Sequence, residues 1–195
     1  MARTRLQWAQ WMAEKGIVVF IVEENTKRPL GGNSWYLRQS TDPHQIEEWF
    51  DHSPNCNYGV HLGAEYVVID LDLKAGINGI EEFEAICEEN GIDNFLMDFP
   101  TLMVRTPGGG YHLYFKVPSP CANKNAFPDG IDVRGAIGYV VGAGSRDSRG
   151  EWEVIDPAMP IMDCPEFLLT YLKEPGKKDP QAHVPLVELD LPENV

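Results

Sequence analysis

The chain has 195 residues, of which 43% are hydrophobic and 24% charged, and its formal net charge is −14. This length suits one well-buried domain rather than two. No stretch approaches the roughly eighteen apolar residues of a membrane span, and we see no secretory signal at the N-terminus. We therefore expect a cytoplasmic protein with no membrane partner.

The negative charge weighs against a protein that holds nucleic-acid phosphates by long-range attraction, but it is unevenly distributed. Five acids crowd one predicted helix: Glu81, Glu82, Glu84, Glu88 and Glu89. Basic residues lie in or beside the predicted strands and loops that carry the motifs below: Lys27, Arg28, Lys74, Arg105, Lys116, Lys124, Arg134, Arg146 and Arg149. The local charge around these motifs is thus more positive than the total suggests.

Hydrophobic periodicity and turn residues predict the elements in chain order. The predicted helices cover residues 6–15, 80–90 and 165–172, the last capped by Asp163, and a further helix begins at Pro43, is capped by Thr41 or Asp42 and has Ile46, Trp49 and Phe50 as its apolar stripe. The predicted strands cover residues 17–22, 58–62, 66–73, 102–105, 111–117, 131–134, 139–141 and 151–155. We interpret residues 1–173 as one domain with a mostly antiparallel sheet, and residues 174–195 as a linker or disordered tail.

Two aspartates end an apolar strand. In Val67 to Asp72, the alternation of a strand puts the Asp70 and Asp72 carboxylates on one face, roughly 6 to 7 Å apart along the chain. Hard cations such as Mg²⁺ prefer such oxygen ligands, so one divalent ion could contact both residues. The alternative is a strand end with two solvated acids.

A glycine-rich turn precedes a histidine. Gly108, Gly109 and Gly110 open a turn whose backbone N–H groups could face an anion, and His112 follows on the next strand. Alternation places His112 on the opposite face from the core residues Tyr111 and Leu113. An ordinary hairpin with a surface histidine is the alternative.

A third strand has the same division of faces. In residues 130–135, Ile131 and Val133 take the core face, while Asp132 and Arg134 take the other. A surface salt bridge is the alternative for this pair. Because three strands each offer polar groups on the side away from the core, we predict one shared polar cleft.

Three further residues are candidate phosphate contacts. Ser145 follows a small-residue loop, Lys27 lies in the first long loop, and Arg105 ends a predicted hairpin strand. The four cysteines, in contrast, are scattered without a CxxC pair, so we expect no zinc site and no disulfide framework.

Taken in order, these segments resemble the primase-polymerase (prim-pol) family of the archaeo-eukaryotic primase superfamily, of the type found in phages, plasmids and other mobile elements. That family has a strand ending in DxD, a Gly-Gly turn before a histidine strand, and an Asp-apolar-Arg/Lys-Gly strand leading to a loop with serine. The resemblance covers roughly residues 10–172. The chain departs from the pattern at residues 142–144, where a proline is frequent, and at Gly110, where related primases have serine.

The resemblance implies an α/β (α+β) fold with a mostly antiparallel, RRM-like catalytic sheet flanked by helices. It implies a template-dependent DNA primase and DNA polymerase acting in replication on a DNA template and primer, with ribo- or deoxynucleoside triphosphates as substrates. The three aspartates Asp70, Asp72 and Asp132 would hold two Mg²⁺ or Mn²⁺ ions. The implied nucleotide-binding residues are His112, Arg134, Arg105, Ser145, Gly109, Gly110 and Lys27. A helicase or helical primase module on the same natural polypeptide, in a bacterial or archaeal host cell, is a further expectation.

Two other functions fit part of the pattern. Paired aspartates with a histidine also suit a DxD nuclease or glycosyltransferase acting on nucleotides. A noncatalytic replication-initiation module would instead bind DNA with an RRM-like sheet, and we would expect aromatic residues on that sheet rather than three aspartates.

Overall fold

A computed structural model describes residues 3–125 and 129–173. Its helices are α1 (Arg5–Glu14), a 3-10 helix (Gly32–Leu37), α2 (Pro43–His52), α3 (Gly79–Glu89), α4 (Phe95–Asp98) and α5 (Glu166–Lys173). Its strands are β1 (Val18–Val22), β2 (Gln39–Ser40), β3 (Asn57–His61), β4 (Tyr66–Leu71), β5 (Leu73–Lys74), β6 (Ile77–Asn78), β7 (Met103–Arg105), β8 (Tyr111–Lys116), β9 (Ile131–Arg134), β10 (Tyr139–Val141), β11 (Arg146–Asp147), β12 (Gly150–Glu151), β13 (Glu153–Val154) and β14 (Met162–Asp163).

The strands form two main sheets. Sheet 1 has the order β10-β3-β1-β2, and sheet 2 has the order β13-β7-β8-β4-β9. All these neighbours are antiparallel, and β14 adds one parallel pair at β8. The predicted α/β fold with a mostly antiparallel sheet is therefore confirmed.

Local sequence signals explain where the helices begin. Thr4 and Gln7 form a reciprocal capping box at the start of α1. Asp42 caps α2, with Pro43 at its first position, as the sequence predicts. The Asn78 side chain accepts hydrogen bonds from the first turn of α3, which fixes that helix directly after β6.

Sheet 2 separates two hydrophobic cores. The first core joins α1, α2 and sheet 1 to one face of sheet 2, where Val68, Val104 and Tyr114 are buried. The second core joins the other face of sheet 2, including Ile69 and Leu113, to the helices α3, α4 and α5. Both faces of the sheet are thus covered along much of their length.

The sequence missed several short elements. The helix α4 and the two-residue strands β11 and β14 were not predicted, because two to four residues show no measurable periodicity. The predicted cap Asp163 is wrong, since it lies in β14 and α5 begins at Glu166. The predicted tail, residues 174–195, lies outside the described residues. Within residues 3–125 and 129–173, no helix is both long and apolar enough to cross a membrane.

Candidate active site

Strand β4 carries the centre of the candidate site. In the register of sheet 2, Asp70 lies opposite His112 of β8 on one side and opposite Asp132 of β9 on the other. Two residues earlier, Val68 lies between Tyr114 and Arg134. Because directly paired residues of neighbouring strands share a face, the predicted placement of these polar side chains on one face is confirmed.

Asp70 and His112 are adjacent but do not form an ion pair at neutral pH. The His112 Nε2 atom lies 3.6 Å from Asp70 Oδ1, and the two side chains are 5% and 17% exposed. Burial lowers the pKa of His112 to about 3, with the charges of Lys27 and Arg134 adding to the effect. Burial, with the charge of Asp72 as the second cause, raises the pKa of Asp70 to about 7. The imidazole is therefore neutral.

A buried polar atom at this position lacks a partner. Among the described residues, His112 Nδ1 has no hydrogen-bond partner, and the same holds for the hydroxyl of Tyr114. Burial, and secondarily the charge of Asp70, raises the pKa of Tyr114, so its hydroxyl stays protonated. Because unpaired buried polar groups cost free energy, a polar ligand that accepts from or donates to His112 Nδ1 would stabilise this face.

Asp132 and Arg134 contact each other directly. The Arg134 Nη2 atom lies 2.5 Å from Asp132 Oδ2, and both side chains are partly buried. Arg134 also donates from Nη1 to the Asn125 side chain at 2.9 Å. The alternation of β9 correctly predicted that Asp132 and Arg134 share the face opposite Ile131 and Val133. No sequence signal pointed to Asn125, which lies outside the regular strands.

The backbone of Asp72 is fixed by two glycines. Its N–H donates to the Gly130 carbonyl at 2.8 Å, and its carbonyl accepts from the Gly79 N–H at 2.9 Å. A Cβ atom on Gly79 would overlap the Gly130 carbonyl, so the start of α3 and the turn before β9 approach this closely only without a side chain there. The Asp72 carboxylate forms an ion pair of 2.6 Å with the exposed Lys74.

Lys27 reaches the site from the loop after β1. Its positive charge lowers the pKa of both Asp70 and His112, which places the ammonium group close to this pair. The Lys27 Nζ atom also lies 5.6 Å from the ring centroid of the buried Trp152. The structure therefore places Lys27 near the cluster, and its contact with a phosphate stays a prediction.

The glycine turn supports the site by close packing. Gly109 has a φ of +88° and donates its N–H to the Thr106 carbonyl at 2.9 Å. A Cβ atom on Gly110 would overlap the carbonyl oxygen of Leu71, the last residue of β4, which lies between Asp70 and Asp72. Glycine is thus required here by the backbone contact with β4, and a role of Gly109 and Gly110 in phosphate binding stays a prediction.

Two predicted contacts lie apart from the cluster. Arg105 pairs with Tyr111 in the sheet register, and its guanidinium carbon lies 6.0 Å from the Tyr111 ring centroid, on the face opposite His112. The Ser145 hydroxyl is fully buried and accepts a hydrogen bond from the Tyr58 N–H at 3.4 Å. Their nucleotide-binding roles stay predictions.

The carboxylates have the chemistry of a divalent-ion site. Within the described residues, no group of three or more His, Cys, Asp or Glu side chains is arranged to enclose a metal ion. Mg²⁺ usually keeps waters and binds one or two carboxylates together with substrate phosphates, so a complete protein cage is not required. Asp70 and Asp132, side by side on one face, provide this minimal set of oxygen ligands.

The sequence matches the family described as "Bifunctional DNA primase/polymerase, N-terminal" (Prim-Pol) over residues 9–167. The chain belongs to this family. The match includes β4, β8 and β9 and hence every residue of the cluster around Asp70. A comparison with curated proteins gives no match. The predicted family is confirmed, and with it a place among DNA primase/polymerase domains, which act on DNA and nucleotides.

Proposed function

We propose that this chain is a template-dependent nucleotidyltransferase that transfers nucleotides from nucleoside triphosphates to the 3′ end of a DNA primer and releases pyrophosphate. The observation that carries the proposal is the register of sheet 2, in which Asp70 lies between His112 and Asp132. This arrangement combines carboxylates for a divalent ion with donors for a polyphosphate on one partly accessible face. Family membership supports the same reaction class.

Asp70 and Asp132, with Asp72 at the end of the strand, would hold two Mg²⁺ or Mn²⁺ ions. When bound there, such ions would increase the acidity of the primer 3′-hydroxyl and neutralise the charge on the pyrophosphate that leaves. Binding requires the Asp70 carboxylate to lose its proton, and its pKa of about 7 makes this loss pH-dependent near neutrality.

The remaining polar groups bind and orient the triphosphate. His112 is neutral, so it donates one ring N–H to a phosphate oxygen while adding no charge to the site. Arg134 and Lys27 supply the positive charge, and the guanidinium of Arg134 can donate to two oxygens at once. Arg105, Ser145 and the Gly109–Gly110 turn remain further proposed contacts with the nucleotide.

A primer-extension assay tests this function. The full chain is incubated with an annealed primer-template, Mg²⁺ or Mn²⁺, and either ribo- or deoxynucleoside triphosphates, while primer length and pyrophosphate release are both measured. We expect templated elongation with stoichiometric pyrophosphate. Shortened primers without pyrophosphate would indicate a nuclease, and retention of DNA without any reaction would indicate the noncatalytic module.

A further inference from the structure

An aromatic surface lies next to the candidate active site, on the face of sheet 1 turned away from the first core. Phe20 of β1 packs its ring over Gly59 of β3, where a Cβ atom would overlap the ring. Trp35, from the 3-10 helix, lies on Phe20 with ring centroids 4.4 Å apart and contacts Tyr139 at 5.3 Å. We call Phe20, Trp35, Tyr36 and Tyr139 the aromatic platform.

The platform is exposed at one end. Tyr36 is 45% exposed and contacts the edge of Trp35, with ring centroids 6.4 Å apart, and the adjacent Leu37 is 72% exposed. Trp35 is partly buried against Phe20, which holds its ring in a fixed orientation. Tyr36, whose half-exposed ring lies against the edge of Trp35, therefore offers an aromatic surface on which planar groups can stack.

The charge around the platform is positive. Residues 25–41 contain no Asp or Glu and include Lys27, Arg28 and Arg38, although the whole chain has a net charge of −14. These three basic side chains are exposed. The Arg38 guanidinium lies over the backbone of Gly31, within 3.3 Å of where a Cβ atom would be, and this holds it beside the 3-10 helix.

The platform is continuous with the candidate active site. The Tyr139 hydroxyl donates to the Lys27 carbonyl at 3.3 Å, and Lys27 is the residue whose charge acts on Asp70 and His112. Tyr139 also lies near Arg134, which partly offsets the rise that burial causes in the Tyr139 pKa. A strand of DNA bound on the platform would therefore pass directly beside the polar cluster.

We propose that the aromatic platform binds the single-stranded template, with unpaired bases stacked on Tyr36 and Trp35 and phosphates contacting Arg28 and Arg38. This inference rests on the proposed function, and it assigns the template to a named surface. Exposed aromatic rings interspersed with basic residues are typical of surfaces that bind single strands without sequence preference. An apolar protein partner would not explain the absence of acidic residues over 17 positions, 25–41.

The test measures binding of a fluorescently labelled single-stranded oligonucleotide, and of the same sequence as a duplex, by anisotropy at low ionic strength with the full chain. Loss of a base-stacking ring typically weakens binding about fivefold to a hundredfold, and we expect this for Tyr36→Ala. Tyr36→Phe keeps the ring and should bind as the wild type does. Met97→Ala, which truncates a side chain that is 78% exposed on α4, is the control away from the platform.

Arg38→Gln should also weaken single-strand binding, and it should reduce the salt dependence, whereas Lys173→Gln should change neither. Single-strand affinity in Tyr36→Ala equal to that of the wild type would overturn the proposal, as would an equal loss of affinity for the duplex. Asp70→Asn separates the two proposals, because it should retain single-strand binding and lose incorporation. If Asp70→Asn incorporates nucleotides normally, the proposed function fails whether or not the platform binds DNA.

Discussion

The two faces of sheet 2 are built from the same strands and differ in what covers them. On the face covered by α3, α4 and α5, residues Ile69, Leu113 and Val133 are apolar and buried. On the other face, the side chains change along the strand from the buried Tyr114 to the polar His112 within two residues. The hydrophobic core and the candidate active site are thus only two residues apart along the strand, a distance of roughly 6 to 7 Å.

This difference shows why the site lies at the edge of a core. The neighbouring apolar packing removes water from Asp70 and His112, and burial is the main cause of both pKa shifts. The side chain of Asp70 still retains 17% exposure, so a ligand can reach it. The face covered by α3, α4 and α5 contributes to stability alone. The other face also contributes to stability, but it carries the Asp70 carboxylate, whose negative charge is unfavourable without a bound ligand.

The largest expected effect comes from removing the central carboxylate. Asp70→Asn should lower the rate of primer extension by about a thousandfold or more, because an amide neither carries the charge nor binds hard cations as a carboxylate does. Asp51→Asn, at an exposed position in α2, is the matched control and should leave the rate unchanged. A similar loss in both variants would contradict a local role for Asp70.

A substitution on the face covered by α3, α4 and α5 should lower the stability of the fold and leave nucleotide binding unchanged. Leu113→Ala truncates a fully buried side chain between the sheet and the helices, and such changes cost about 2 to 5 kcal/mol in the free energy of unfolding. At a temperature where the variant remains folded, its apparent nucleotide affinity should equal that of the wild type. Denaturant unfolding and nucleotide titration check both parts, and a change confined to affinity would refute the division between the faces.

Substitution of His112 should affect nucleotide binding, with a smaller effect than the loss of the Asp70 carboxylate has on the rate. His112→Ala should weaken apparent nucleotide affinity about tenfold to a hundredfold, because a lost donor to the triphosphate affects the ground state as well as the transition state. His112→Gln retains an N–H donor and should recover part of the affinity. Fluorescence titration with a nucleotide analogue measures this, and an unchanged affinity in His112→Ala would move His112 out of the phosphate site.

The smallest expected effect concerns pH and folding without metal. The pKa of Asp70 is raised to about 7, so its ionisation destabilises the fold as pH rises from 3.8 towards 7. Asp70→Asn should therefore raise stability by about 1 to 3 kcal/mol at pH 8, and give no such gain below pH 4.

The lowered pKa of His112 acts in the opposite direction: between pH 6.5 and about 3 the unfolded chain binds a proton that the folded chain does not, so stability falls as pH falls. The pH-dependent contributions of Asp70 and His112 to stability overlap and partly cancel in the wild type. In Asp70→Asn, the loss of stability that His112 causes at low pH should therefore become visible. Thermal unfolding across this pH range checks both signs. Equal Tm values for the variant and the wild type at pH 8 would show that Asp70 is not destabilising.

The sequence predicted the faces of the strands better than their surroundings. Alternation alone placed Asp70, His112 and Asp132 on the side away from Ile69 and Leu113, since the strand repeat is local. Alternation does not show that a second sheet buries Tyr114 on that same side. Contacts between separate segments, such as the hydrogen bond from Arg134 to Asn125, depend on the tertiary fold and became visible only in the structure.

The proposed catalysis depends on metal binding at the face that carries Asp70 and Asp132. Titration of Mn²⁺ into the full chain with a nonhydrolysable nucleoside triphosphate, followed by electron paramagnetic resonance, measures this directly. The wild type should bind Mn²⁺ in a nucleotide-dependent manner, and Asp132→Asn should lose most of this binding while Asp51→Asn keeps it. Wild-type Mn²⁺ affinity in Asp132→Asn and Asp70→Asn would contradict the proposed site.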